Sequence, residues 1–141
     1  MLSVTFVACD NAKQQAPAMA QDFCNCFSPV TTNLSPEAKN LIVKASDSPN
    51  NQQAMLDELN KLNDEQKNKV SQELLVFREM QNPNSTVNNC IKGVEDKYKN
   101  AYTTDKEGFM KKIIDELEDK KGCEVTASLM KFGLAASRTT Q

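Results

Sequence analysis

The sequence predicts an all-α protein, built as a single bundle of about five to six helices. Apolar residues recur every three or four positions along most of the chain, as they do on one face of a helix. No stretch alternates apolar and polar residues in the manner of a half-buried strand. Capping side chains and prolines divide the chain into helix-length pieces, and a length of 141 residues suits one domain around one core.

The first predicted helix is followed by two helix starts that contain proline. Its apolar stripe comprises Met19, Phe23, Cys26, Phe27 and Val30. Because proline has no backbone N–H, Pro29 predicts that this helix bends or ends near Ser28. The segments Ser35-Pro36-Glu37 and Ser48-Pro49 each place a capping hydroxyl before a proline, which is favoured at the first helical position. We therefore expect helices to begin at both places.

The middle of the chain carries four further stripes with helical spacing. They are Met55, Leu59 and Leu62; Val70, Leu74 and Phe77; Val87, Ile91, Val94 and Tyr98; and Phe109, Ile113 and Leu117. The segments 63–66 (Asn-Asp-Glu-Gln) and 104–107 (Thr-Asp-Lys-Glu) both fit a capping box, which predicts a helix start at each. Asn82-Pro83-Asn84 and Gly122 indicate breaks between helices.

The last predicted helix, residues 123–136, is apolar on two sides. One stripe consists of Cys123, Ala127, Met130 and Leu134, and the opposite one of Val125, Leu129 and Phe132. Two interpretations follow from this pattern. The helix is either sandwiched inside the bundle, or it presents Val125, Leu129 and Phe132 as a surface for a protein partner.

The segment before Cys9 resembles the lipobox at which bacterial lipoprotein precursors are cut and acylated. Residues 1–8 carry no charge, and Phe6-Val7-Ala8 places small residues near the cut. Phe6 stands where leucine is usual and no basic residue precedes the apolar run, so we expect a truncated or wrongly chosen start. The prediction is a signal segment over residues 1–8, lipidation of Cys9, a polar tether over 9–17 and one helical domain over 18–141. The alternative is that residues 2–8 form a frayed tail or first strand and that Cys9 is an ordinary thiol.

Charge and composition exclude several function classes. The chain has 17 basic and 19 acidic side chains, interspersed along its length, and its arginines are Arg78 and Arg138. This pattern gives no basic patch for nucleic acid. The chain has no histidine, which is the commonest general base and metal ligand. We expect no nucleic-acid partner, no cofactor and no enzymatic activity.

One enzymatic alternative rests on carboxylates near the end of the predicted helix that precedes Gly122. These are Asp115, Glu116, Glu118 and Asp119. Closely spaced acids could supply general acid and base groups, but on a helix such a run normally faces water. We expect a solvated face here.

Four cysteines remain after Cys9, and they fit two disulfides in an oxidising compartment. They are Cys24, Cys26, Cys90 and Cys123. On a helix the side chains of Cys24 and Cys26 point about 160° apart, which excludes a bond between them. Each must then join either Cys90 or Cys123, and two pairings stay open. Each bridge would close a long loop and contribute about 4 kcal/mol through loss of unfolded-chain entropy.

Two other uses of the four thiols are zinc binding and redox chemistry. Zinc sites usually contain two close pairs of ligands, whereas this chain has one, Cys24 and Cys26, with a single residue between them. A redox thiol needs neighbouring cations or a helix start to lower its pKa, but the nearest charged residue is Asp22. Structural disulfides are therefore the preferred interpretation, and no metal site is predicted.

Together with the cut site and tether, three cysteine segments make the chain resemble small, uncharacterised helical lipoproteins of Bacteroidota-type bacteria. The segments are Phe23-Cys24-Asn25-Cys26-Phe27, Asn89-Cys90-Ile91 and Gly122-Cys123-Glu124. The resemblance implies a place in the cell envelope, periplasmic or at the outer membrane, and implies disulfides without implying an activity. We expect a lipid-anchored, non-enzymatic protein that binds another envelope protein or a small ligand between its helices. The alternative is an envelope protein that binds a metal through its cysteines.

Overall fold

The protein is all-helical over the part of the chain that its structure, a computed structural model, describes. This part comprises residues 7–102 and 105–139, with side chains from residue 15 onward except at 76, 77, 79, 101, 102 and 136–139. It contains seven helices of ten residues or more and two short ones. They are α1 (Val7–Thr31), α2 (Pro36–Ser46), α3 (Asn51–Asn60), α4 (Asp64–Glu73), α5 (Val76–Gln81), α6 (Thr86–Lys97), α7 (Lys99–Tyr102), α8 (Lys106–Asp119) and α9 (Glu124–Thr139).

The all-α prediction is confirmed, with more helices than the five to six expected. The elements that the sequence did not indicate are the short helices α5 and α7, and α5 is separate because a turn at residues 74–75 interrupts the predicted stripe of Val70, Leu74 and Phe77. At the predicted break, Gly122 has a φ of 89°, a conformation that glycine adopts without strain.

Helix α1 continues further in both directions than predicted. It passes through Pro29 and ends at Thr31. Proline at this position removes only one backbone hydrogen bond. The helical bonding continues beyond it, because Thr32 N donates to Ser28 O at 3.1 Å. Residues 9–17, the predicted tether, lie within this helix, and Ala16 is already buried. Most of the predicted signal segment, and the side chain of Cys9, lie outside what the structure describes.

Two of the four predicted helix starts are where the sequence places them. Ser35 caps α2 by accepting a hydrogen bond from Ala38 N at 3.2 Å, with Pro36 as the first helical residue. Asn63 and Gln66 form the predicted capping box of α4, in which Gln66 N donates to Asn63 Oδ1 at 2.8 Å. Glu73 at the end of α4 also accepts from the Ser35 hydroxyl at 2.6 Å, so the cap of α2 is fixed to α4.

The other two predicted starts are wrong by one or two residues. Helix α3 is capped by Asn50, because the Ser48 hydroxyl accepts from Asn50 N at 3.3 Å and forms a turn before the helix. Helix α8 is capped by Asp105, whose carboxylate accepts from Gly108 N at 3.0 Å. In both cases an Asn or Asp nearer the helix takes the capping position from the predicted hydroxyl residue.

Helices α1 and α9 organise two cores. Helix α1 packs against α6, α7, α8 and α9, whereas α2 packs against α3, α4 and α9. The first core is formed mainly by α1, α6, α8 and α9, with Met19, Phe23, Ile113 and Leu117 at its centre. The second core is formed by the end of α1 with α2, α4, α6 and α9, and includes Phe27, Ile42, Val70 and Leu129. Helix α9 belongs to both.

The position of α9 corrects the predicted partner surface. Val125 and Leu129 are buried in the second core, and Phe132 is half-buried against it. The sandwiched arrangement is therefore the one that the protein adopts, because α2 covers the side of α9 opposite the first core. Lys131 reinforces this packing by pairing with Asp47 after α2, at 2.9 Å, and with Glu118 on α8.

A polar cluster joins α1 to the end of α6. Asp22 accepts hydrogen bonds from the Tyr98 hydroxyl at 2.8 Å and from Lys97 Nζ at 3.0 Å. Burial acts to raise the pKa of the Asp22 carboxyl, but the bonds from Tyr98 and Lys97 outweigh it and the pKa is lowered. Asp22 therefore stabilises the fold when ionised.

Replacing Asp22 should make folding stability less sensitive to acid. A folded-state pKa below the unfolded value gives stability that is present above about pH 4 and lost as the pH falls through the folded pKa. Asp22→Asn should lower the free energy of unfolding by about 1 kcal/mol at pH 6, and the difference from the wild type should shrink as the pH falls below about 4. Urea unfolding of both proteins at a series of pH values measures this difference in free energy, and Asp115→Asn, at an exposed position, is the control. A difference that is constant with pH would contradict the assignment.

Candidate functional site

Two disulfides fix α1 to the later helices. Cys24 is bonded to Cys123 at the start of α9, and Cys26 to Cys90 on α6, with Cα–Cα distances of 5.6 Å in both bonds. They span 99 and 64 residues of sequence, respectively. The predicted crosslinking by two disulfides is confirmed, and the structure selects one of the two pairings that the sequence left open.

The disulfides exclude the cysteine-ligated metal site from this form of the protein. A zinc site needs thiolates, but all four body cysteines are consumed as bonded pairs. Within the described residues, no group of three or more potential ligand side chains comes together elsewhere. The metal alternative would require both bonds to be reduced.

A cleft of about 480 Å³ opens between α1, α6, α8 and α9, beside the end of α5. Its floor is formed by Phe23, Phe27 and Leu129, which are almost completely buried. Its walls are half-buried apolar side chains: Met80, Ile91, Met110, Met130 and Leu134. A volume of this size lies within the range of roughly 300 to 1,000 Å³ that is typical of small-molecule sites. The cleft is therefore the candidate functional site.

The two disulfides lie beside the floor and one wall of this cleft. Phe27 directly follows Cys26 on α1, and Ile91 directly follows Cys90 on α6. The Cys26–Cys90 bond therefore links Phe27 on the floor to Ile91 on the α6 wall through their neighbours. Phe23, which precedes Cys24, is held in the same way relative to α9.

Methionine is concentrated in the cleft. Met80, Met110 and Met130 are three of the six methionines in the chain. Methionine has a flexible, polarizable side chain that adapts to the shape of a bound molecule, and it makes favourable contacts with aromatic rings. Three half-buried methionines above a phenylalanine floor therefore form an adaptable apolar surface.

The rim of the cleft is polar and carries both signs of charge. Glu95 lies on α6, and Lys106 and Glu107 lie in the first turn of α8. The carboxylate oxygen Oε1 of Glu107 lies 3.5 Å from Nζ of Lys111, one turn further along α8. A mainly apolar interior with a few charged groups at its mouth suits a ligand with an apolar body and a polar end.

The carboxylates considered for catalysis lie away from the cleft. Asp115, Glu118 and Asp119 are exposed and Glu116 is half-buried, and none of the four lines it. They occupy a largely solvated face of α8, and Glu118 is engaged by Lys131.

Comparison of the chain with protein families, curated proteins and solved structures finds no match. Among the described helices, none combines the length and apolar character that crossing a membrane requires.

The Cys26–Cys90 bond should be reduced before Cys24–Cys123. Cys90 is exposed, whereas Cys24 and Cys123 are both buried, and reduction requires access of the reductant to sulfur. After brief treatment of the native protein with a phosphine reductant and alkylation with iodoacetamide, peptide mass mapping should find label first at Cys26 and Cys90. In protein unfolded with guanidinium, both pairs should react together. Equal labelling of all four cysteines in the native protein would contradict this expectation.

Proposed function

We propose that this protein is a lipid-anchored, non-enzymatic binding protein of the bacterial cell envelope, and that it binds a small, mainly apolar molecule in the cleft between α1, α6, α8 and α9. The observation that carries the ligand proposal is the cleft of about 480 Å³, with its aromatic floor and methionine walls. The envelope location is supported by two disulfides, which persist in oxidising compartments.

The site favours binding over catalysis. Its floor and walls are apolar over the described residues, and its charged groups, Glu95, Lys106 and Glu107, stand at the mouth. Burying an apolar body there contributes about 25 cal/mol per Å² of surface removed from water. The charged rim would orient a polar end toward solvent, so the ligand is a small amphiphile or another apolar molecule with one polar end.

A neutral fluorescent probe tests the cleft. N-phenyl-1-naphthylamine should bind the wild-type protein and gain fluorescence, because it leaves water for an apolar site. Met110→Gln keeps the length of a cleft-wall side chain but makes it polar, and should raise the Kd roughly tenfold by removing about 1.4 kcal/mol of apolar contact. Met55→Gln is the matched control, because Met55 is also half-buried and packs on the second core, but it does not line the cleft.

Two results would count against the cleft. One is failure of the wild-type protein to bind the probe, provided that circular dichroism shows the helical fold. The other is an equal loss of affinity in Met110→Gln and Met55→Gln, which would mean that binding follows stability and not the site.

The anchor is tested separately by mass and by partitioning. Expressed in a bacterial host behind a complete lipoprotein signal, the protein should be cleaved before Cys9 and carry acyl chains there. It should enter the detergent phase of a Triton X-114 extraction, whereas Cys9→Ala should stay in the aqueous phase. Because each buried methylene contributes about 0.8 kcal/mol, several chains make the partitioning nearly complete. An unmodified Cys9 under these conditions would refute the anchor and leave the cleft proposal standing.

A further inference from the structure

Gly133 is a glycine inside a long helix that lines the proposed ligand cleft. It lies on α9 between the cleft residues Met130 and Leu134, and it is exposed. A Cβ atom built at this position would meet nothing within 4 Å among the described residues outside its own helix. Glycine therefore leaves open a part of the cleft that a side chain would fill.

The fold gives no reason for glycine at this position. Glycine is required where φ is positive, as at Gly122, or where another group approaches closely, as the Asp105 side chain does at Gly108. Gly133 has neither feature. Inside a helix, glycine is also less favourable than alanine because it has more conformational freedom to lose on folding. Gly93 shares these features, so what distinguishes Gly133 is that it lines the cleft.

We infer that Gly133 determines which ligands the cleft accepts. In this inference, which rests on the proposed function, the apolar body of the ligand lies directly on the backbone of α9 at Gly133, with Met130 and Leu134 on either side. The ligand class is a small amphiphile whose apolar part is thin enough to fit against a bare helix backbone. A side chain at this position would occupy the volume that the ligand needs.

The fold provides a matched control for this inference. Gly93 is also an exposed glycine inside a helix, α6, and a Cβ there would likewise meet nothing within 4 Å among the described residues. Gly93 does not line the cleft. Substitution at Gly93 and Gly133 should therefore change helix stability similarly, but only Gly133 should affect the ligand.

The experiment compares alanine and leucine at both positions, because both residues favour helix. Gly93→Ala and Gly133→Ala should each raise the Tm by about 3 °C. The Kd for N-phenyl-1-naphthylamine should rise about threefold in Gly133→Ala and more than about tenfold in Gly133→Leu, as the added volume grows. Gly93→Ala and Gly93→Leu should keep the wild-type Kd.

Three other results would overturn either the inference about Gly133 or the proposed function. If both Gly133 variants are stable and bind the probe like the wild type, the inference about Gly133 fails, while binding by the wild type and its loss in Met110→Gln still support the cleft. A lower Tm in Gly133→Ala would show that the glycine serves the fold, which also overturns the inference. If the folded wild-type protein binds no probe, the proposed function itself fails.

Discussion

The geometry of one helix, α1, governs the rest of the structure. Cys24 and Cys26 lie two positions apart, so their side chains leave opposite flanks of α1 and cannot bond to each other. Each instead holds a different late helix, α9 through Cys123 and α6 through Cys90. The apolar stripe of α1, to which Cys26 belongs, contributes to both cores. Order among helices that are far apart in sequence thus follows from two covalent bonds to a single helix.

The same bonds explain how an open apolar cleft is compatible with a stable domain. Leaving apolar walls half-exposed forfeits burial free energy that a closed core would gain. Closing loops of 64 and 99 residues offsets this by about 4 kcal/mol for each bond, because the unfolded chain loses entropy. The bonds also lie beside Phe23 and Phe27 on the floor of the cleft and Ile91 on its wall, so they fix the relative positions of α1, α6 and α9 around it.

The sequence predicts local features better than surfaces made by distant segments. The helical class, the caps at Ser35 and Asn63 and the exclusion of a Cys24–Cys26 bond all follow from spacing within a few residues. The burial of Val125 and Leu129 does not, because it depends on α2 packing across α9. The cleft is also not visible in the sequence, since five helices supply its lining. The sequence does show a glycine, Gly133, within an apolar helix, but its place in the lining of the cleft depends on residues from other helices.

The proposed anchor and the proposed ligand site fit together through the length of α1. Cys9 and the buried Ala16 lie on this one helix, so seven residues at about 1.5 Å each separate the proposed acylation site from the packed domain by roughly 10 Å. An anchor at Cys9 would therefore hold the domain close to the membrane surface instead of on a long flexible tether. Apolar molecules with one polar end concentrate at that surface. A cleft with an apolar interior and a charged rim would then meet its ligand where the ligand is most abundant.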